Sequence, residues 1–358
     1  MRPKRILLLA AGAALLGSLV PAQESKPYLT PAEVLKMMGE SKTEYVVNSL
    51  EKLKPEEMKD LAGLFFAQRC PDIENPRLVS EKGKPAVKEY SFKKEAVKLF
   101  EQAEAVFKKK DYDGARALYE QALRADPAFY LALGYIGDTY LYTGRVEEAL
   151  AAYDKAIEMN PYDHRLYFFR ANTLGRAGRQ DEARKDLVRA LALRPRYRFV
   201  LQVANSDKAP YGFRLRETNF EPPVLARKEG AKVAIYIDPN ESNSHWGAYA
   251  LAKALWLGEP KHRKEMTGSD GPGWSTTEER ECLANLMAVY EDLLEKKTIE
   301  PDPRLETLRQ IVENEDLNGF ILYEVYSRLC PSAMLTLSEV NRKLVERYIE
   351  KYLIVPLS

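Results

Sequence analysis

Between residues 96 and 197, small and apolar side chains recur with a helical spacing nested inside a longer period. The stretch GRVEEALAAYDKAIEMNP, Gly144–Pro161, returns 34 residues later as GRQDEARKDLVRALALRP, Gly178–Pro195. Setting the frame at Ala96 aligns Ala103, Gly137 and Ala171, then Ala115, Ala149 and Ala183, then Ala122, Ala156 and Ala190. Pro127, Pro161 and Pro195 form a fourth column. Small residues in three columns let two antiparallel helices approach closely, while Tyr119, Tyr153 and Leu187 fill the space between them. Proline ends each second helix, because it cannot donate to the helical ladder and clashes with the preceding turn. Gly144 and Gly178 fall between paired helices, where a permissive backbone serves the turn. The pattern predicts six antiparallel helices over 96–194, breaking near Lys109–Tyr112, Gly144 and Gly178. Tyr197–Ala204 is too apolar for a free linker and is expected to begin a terminal cap.

The flanks follow other patterns. Thr30-Pro31-Ala32-Glu33 is a helix start, with Val34, Leu35 and Met38 at helical spacing behind it. Leu61, Leu64 and Phe65 mark a second short helix, and 71–90 reads as a linker rich in Pro, Gly and charge. Beyond the repeats, 222–238 holds two β-favouring runs about Glu229-Gly230, a hairpin pattern. Helices are expected at 244–257, 277–297, 303–314, 316–329 and 338–353, and the stretch 259–274 reads as a loop. The predicted organisation is therefore a leader over 1–22, a helical lead-in and linker over 23–92, repeats with the start of a cap over 93–205, and a mostly helical domain over 206–358. The fold class is mainly α, with three helix–turn–helix repeats and one short β-hairpin.

The 34-residue period, the alanine and proline columns, and Leu133-x-x-Ile136-Gly137-x-x-Tyr140 together resemble the tetratricopeptide repeat (TPR) family. The likeness covers 96–197. It implies a helical solenoid whose first helices line a concave groove that receives an extended peptide or a partner's helix. Carried over position by position, the groove would be lined by Phe100, Glu104 and Lys108 in repeat 1, with Val97 and Phe107 beside them. Repeat 2 would contribute Leu131, Asp138 and Tyr142, with Gly134 and Leu141. Repeat 3 would contribute Arg165, Phe168, Asn172 and Arg176, with Gly175. Phe100, Leu131 and Phe168 fit a core role equally well, so Asp138, Arg165, Asn172 and Arg176 are the better groove residues. Family members that hold a chaperone's C-terminal carboxylate use Lys, Asn and Arg at positions occupied here by Phe100, Glu104, Tyr135, Arg165 and Phe169. Only Arg165 is cationic there, and Glu104 would repel a carboxylate.

Charge and chemistry narrow the reading further. Arg2, Lys4 and Arg5 precede an uncharged run from Ile6 to Val20, and Val20-Pro21-Ala22 fits a signal-peptidase site. Export with cleavage near residue 22 is expected, and no later segment is apolar enough to span a bilayer. Cleavage would leave 51 basic against 53 acidic residues, a balance that argues against a partner held by nucleic-acid phosphates. Of three cysteines, Cys70 and Cys330 both precede proline in loop-like contexts, whereas Cys282 lies in an expected helix. A Cys70–Cys330 disulfide is one expectation; three buried thiols are the alternative.

No phosphate loop, dinucleotide fingerprint, HExxH, CxxC or nucleophile elbow is present, so no cofactor, metal or catalytic residue is assigned. The histidines are His164, His245 and His262, and His245 beside Ser244, near Asp238 and Glu241, is the one that a catalytic reading would use. The expected function is a non-catalytic exported protein that binds a protein or peptide in its repeat groove, as a scaffold or adaptor in a bacterial cell envelope, periplasmic or secreted. The alternatives are an enzyme with a catalytic C-terminal domain whose repeats recruit substrate, and an envelope protein that senses a ligand.

Overall fold

The protein is described here by a computed structural model covering residues 28–81, 84–206, 209–218, 220–238, 244–271 and 273–357. The expected leader lies outside the described residues. The chain divides into two compact units, each built from two separated stretches. One contains residues up to 67 together with 220–321, and the other 68–219 together with 322–358. This corrects the sequential boundaries expected at 92 and 205. The lead-in is no separate segment, because its first part folds with residues 220–321 and its second with the repeats.

The repeats form the expected solenoid. Repeat 1 pairs Lys94–Phe107 with Tyr112–Ala125, repeat 2 pairs Tyr130–Tyr142 with Val146–Met159, and repeat 3 pairs His164–Arg176 with Gln180–Leu193. Ala96, Ala103, Ala115, Ala122, Ala149, Ala156, Ala171 and Ala183 are wholly buried, which explains why these columns tolerate only small side chains. Gly137 shows the constraint most directly. A Cβ placed there would stand 2.4 Å from the Tyr153 ring, so glycine is what admits the tyrosine. Gly144 and Gly178 take φ of +77° and +78°, the left-handed turn that glycine adopts without steric cost. Arg170 links successive repeats, donating to both oxygens of Asp186 at 2.7 Å and to Asp154 at 2.5 Å. The expected cap begins with the helix Arg198–Ala204, which buries Val200 and Ala204.

Two further parts of the repeat-bearing unit depart from expectation. The supposed linker contains a β-hairpin, Pro76–Glu81 with Lys84–Glu89. It lacks an apolar alternation, and Arg77 and Leu78 are exposed, so its sequence reads as loop. Phe213–Leu215 pairs with Ile354–Pro356 as a second small ribbon. The disulfide Cys70–Cys330 closes this unit across 260 residues, and Cys282 is a buried free thiol in the other unit.

In that other unit, Thr30 and Glu33 cap the helix Pro31–Glu40 reciprocally. Glu44–Ser49 then forms an unanticipated strand, parallel to Lys232–Ile237, which pairs in turn with Leu225–Glu229 in the expected hairpin. Helices Ser244–Gly258, Thr276–Glu295 and Pro303–Glu313 match the periodicity. The expected loop at 259–274 is corrected by a helix, Pro260–Thr267, with Pro in its first turn and Gly268 as its left-handed cap. Two other expected helices run into π turns, at Ile321–Tyr326 and, in the repeat-bearing unit, at Ile349–Leu353. No described helix is long and apolar enough to cross a membrane.

Candidate peptide-binding groove

The groove is organised by a bond that recurs once per repeat. The Tyr119 hydroxyl donates to Glu104 in repeat 1, and the Tyr153 hydroxyl donates to Asp138 at 2.7 Å in repeat 2. Each pair joins the same two positions, fifteen residues apart, so the second helix of a repeat fixes a carboxylate on its first helix. In repeat 3 these positions hold Asn172 and Leu187, and the device lapses. Burial pushes the Asp138 carboxyl up to about 7, Tyr153 and Arg176 pull it down, and the like charge of Glu104 pushes it up again. Tyr119 and Tyr153 are raised in turn, chiefly by burial and then by their carboxylate partners.

Aromatic rings form two tracks beside these acids. Phe100, Tyr135 and Phe169 meet edge to face, with centroids 4.8 Å and 5.6 Å apart. Tyr142 is half exposed, stacks on Tyr112 at 5.4 Å and lies under the Arg176 guanidinium at 5.8 Å. Lys108 and Arg176 are exposed, and Asn172 is half-buried without a hydrogen bond among the described residues.

Several expected groove residues have other roles. Leu131 and Phe168 are core, with exposures of 7% and 4%, because their side chains turn between helices. Phe168 packs edge to face on Phe199, and Phe100 is half-buried against Phe129. Arg165 is committed elsewhere, since its Nε donates to both oxygens of the buried Asp163 and its Nη2 reaches Asn75 Oδ1 at 2.9 Å. Burial alone would raise Asp163, but the bonds from Arg165 hold its carboxyl below the usual range. Gly175 is covered by Pro210, whose carbonyl would lie 2.9 Å from an added Cβ. The open polar lining therefore comprises Glu104, Lys108, Asp138, Tyr142, Asn172 and Arg176.

The catalytic alternative fares differently. His245 is buried against Trp246 and Tyr290, and neither ring nitrogen has a hydrogen-bond partner among the described residues. Burial holds its pKa below the usual histidine value, with Asp302 opposing and Arg304 reinforcing the shift. Glu241 lies outside the described residues.

A second polar cluster in the same unit was not expected from the sequence pattern. Lys253 donates to Glu278 at 2.9 Å and Glu279 at 2.7 Å, while Trp256 and His262 both meet Glu281 at 3.0 Å. All three glutamates are buried, although an acidic first turn normally reads as a solvent-facing helix start. The Glu281 end is further closed by the backbone of Leu29, whose N–H donates to the carboxylate at 3.1 Å. No group of three or more metal-ligating side chains occurs among the described residues.

The match to a known family falls within the solenoid. The tetratricopeptide repeat family matches residues 100–164 and 136–199. The Protein STIP1 homolog of Dictyostelium discoideum is 31% identical over 100 residues, which are 28% of this chain and 18% of that protein. Among solved structures, the first TPR of Spaghetti (RPAP3), bound to an HSP90 peptide, is 24% identical. That match covers 31% of this chain and 94% of the other, with a TM-score of 0.27. The Sgt2 TPR domain from Aspergillus fumigatus is 22% identical over 28% of this chain and 67% of its own, also with a TM-score of 0.27. The Yersinia enterocolitica secretion chaperone SycD, in complex with a peptide of the translocator YopD, is 19% identical over 29% of this chain and 80% of its own, with a TM-score of 0.28. The alanine columns, the paired helices and the family match all fall on the same residues, and 100–199 is a tetratricopeptide-repeat segment.

Proposed function

We propose that this chain is a non-catalytic, exported binding protein whose TPR groove receives a protein or peptide segment, acting as a scaffold or adaptor in a bacterial cell envelope. The observation that carries the reading is the pair of tyrosine-fixed carboxylates, Glu104 and Asp138, on successive first helices with half-exposed aromatic rings beside them. Fixed acceptors and ring faces suit the backbone N–H groups and side chains of an extended segment. Ordering them in advance lowers the entropic cost of binding. The match of residues 100–199 to the tetratricopeptide repeat family is in keeping with that role. The Arg2–Ala22 pattern and the Cys70–Cys330 disulfide favour an oxidising compartment outside the cytoplasm.

The test is crosslinking and pull-down of the full chain from its native envelope, with N-terminal sequencing of the mature protein. A partner recovered by wild type and lost on altering Asp138 and Arg176 supports the groove. An uncleaved N-terminus on a cytoplasmic protein would overturn the export reading.

A further inference from the structure

A second concavity lies at the end of repeat 3, away from the tyrosine-fixed carboxylates. It is a cavity of about 390 Å³, bounded by the Leu193–Arg198 turn, by His164, and by the segments that begin at Asp72 and Ser327. That volume falls in the range of roughly 300 to 1,000 Å³ typical of small-molecule sites. Cys70 precedes one wall and Cys330 the other, so the disulfide ties the two walls together.

The lining combines an apolar body with a cationic rim. Leu193, Pro195, Pro331 and Leu335 supply the apolar part, and the Tyr197 ring stands beside them. Arg194, Arg196 and Arg198 approach from a single turn, against one acid, Asp72. Two of the three arginines are already engaged. Arg194 is paired with Asp72 at 2.6 Å, and Arg196 donates to the Tyr323 carbonyl at 2.9 Å and to Ser327. Arg196 itself takes φ +55°, a conformation that non-glycine residues rarely adopt. Arg198 is exposed and makes no hydrogen bond or ion pair among the described residues.

His164 adds an independent sign of a missing partner. It is 5% exposed, its ring packs edge to face on Tyr197 at 4.4 Å, and its Nε2 has no hydrogen-bond partner among the described residues. A buried polar atom left unpaired costs on the order of 1 to 3 kcal/mol, so such an atom marks either strain or a ligand position. Its Nδ1 stands 3.8 Å from Asp163, too far for a hydrogen bond, and Asp163 is taken up by Arg165.

We propose that this cavity binds a small organic anion, with its apolar body between Tyr197 and Pro331 and its anionic head at Arg198 and the His164 imidazole. A neutral imidazole can donate one N–H to such a head, and a free guanidinium supplies the charge that the engaged arginines do not. Nothing in this step requires the concave groove.

Calorimetric titration of the full oxidised chain with 1-naphthyl phosphate, and separately with uncharged 1-naphthol, tests the proposal. The phosphate should bind with one-to-one stoichiometry, and naphthol about tenfold more weakly or not at all, as expected for loss of a charge-assisted bond. Arg198→Ala should weaken the phosphate by about tenfold with unchanged melting, whereas Arg124→Ala, on an exposed helix face of repeat 1, should not. In nitrogen-15 histidine spectra, the resonances of His164 should move on titration while those of His245 and His262 stay fixed. Absence of phosphate binding, equal binding of naphthol, or indifference to Arg198→Ala would each overturn the assignment.

Discussion

The Tyr153 hydroxyl lies 2.7 Å from Asp138 Oδ1 and donates to it, and this bond opposes the burial that raises the Asp138 carboxyl. The Asp138 carboxyl titrates at about 7 in the folded protein, raised by burial and then by Glu104 against the pull of Tyr153 and Arg176. An acid whose folded pKa is raised binds more protons folded than unfolded, so its stabilising contribution is complete below the unfolded value of about 4. That contribution is lost as pH rises through about 7. Wild type should therefore gain melting temperature, relative to Asp138→Asn, as pH falls from 8 to 5. Tyr153→Phe removes a bond that lowers the pKa and should shift the transition to higher pH. Parallel melting curves for wild type and Asp138→Asn across that interval would contradict the assignment.

The buried alanine columns predict a packing effect. Ala149 and Ala156 are wholly enclosed, so leucine at either must displace a neighbouring helix. Overpacking of this kind typically costs ~1 to 3 kcal/mol. Thermal melting of Ala149→Leu and Ala156→Leu should show a loss in each, whereas leucine at the exposed Ala105 should cost little.

The solenoid was legible in the sequence because every constraint on it is local and repeated. Gly137 meets Tyr153 within one repeat, and the proline columns stop each second helix. Other parts depend on distant partners. Glu44–Ser49 alternates weakly and becomes a strand by pairing with Lys232–Ile237 far along the chain. Glu278 and Glu279 resemble solvent-facing residues until Lys253 is brought onto them. Arg165 occupies a groove position in the repeat frame, yet Asp163 and Asn75 claim its guanidinium. The carboxylate–tyrosine pairs were within reach, since Glu104/Tyr119 and Asp138/Tyr153 share two columns at the same spacing.

Arg165→Ala should accordingly act on stability. It leaves Asp163, fully buried, without its principal charge partner, and removing one member of a buried pair costs about 3 to 5 kcal/mol. Because the Arg165 side chain retains some exposure, the lower end is expected. Denaturant unfolding should show the midpoint falling. A loss below about 1 kcal/mol, typical of exposed pairs, would return Arg165 to the groove.

The disulfide predicts a redox dependence of the repeat-bearing unit. Cys70 and Cys330 close a long loop, and loss of a native disulfide costs typically 2 to 5 kcal/mol. Cys70→Ser and Cys330→Ser should each lower the melting temperature, and a reductant should add nothing to either variant. Peptide mapping under non-reducing conditions should recover the Cys70 and Cys330 peptides joined, with Cys282 free. Wild-type melting that ignores reductant would show that the bridge contributes nothing to stability.

The groove prediction separates binding from folding. Asp138, Asn172 and Arg176 project from successive first helices, and Asn172 and Arg176 make no hydrogen bond among the described residues. Replacing Asn172 and Arg176 by alanine should change stability by no more than about 0.5 kcal/mol, the usual range for surface positions. Asp138→Ala leaves the Tyr153 hydroxyl without its acceptor, and that loss is offset by removing a carboxylate that is costly to ionise near neutrality. Binding should respond far more. A charged group at an interface, once truncated, leaves its partner unpaired at a cost of about 2 kcal/mol or more. The triple variant should therefore melt close to wild type at neutral pH and fail to recover the partner in crosslinking pull-downs. Normal recovery with normal melting would move the interaction off these residues, and the solenoid would then act as a spacer for the unit that contains 220–321.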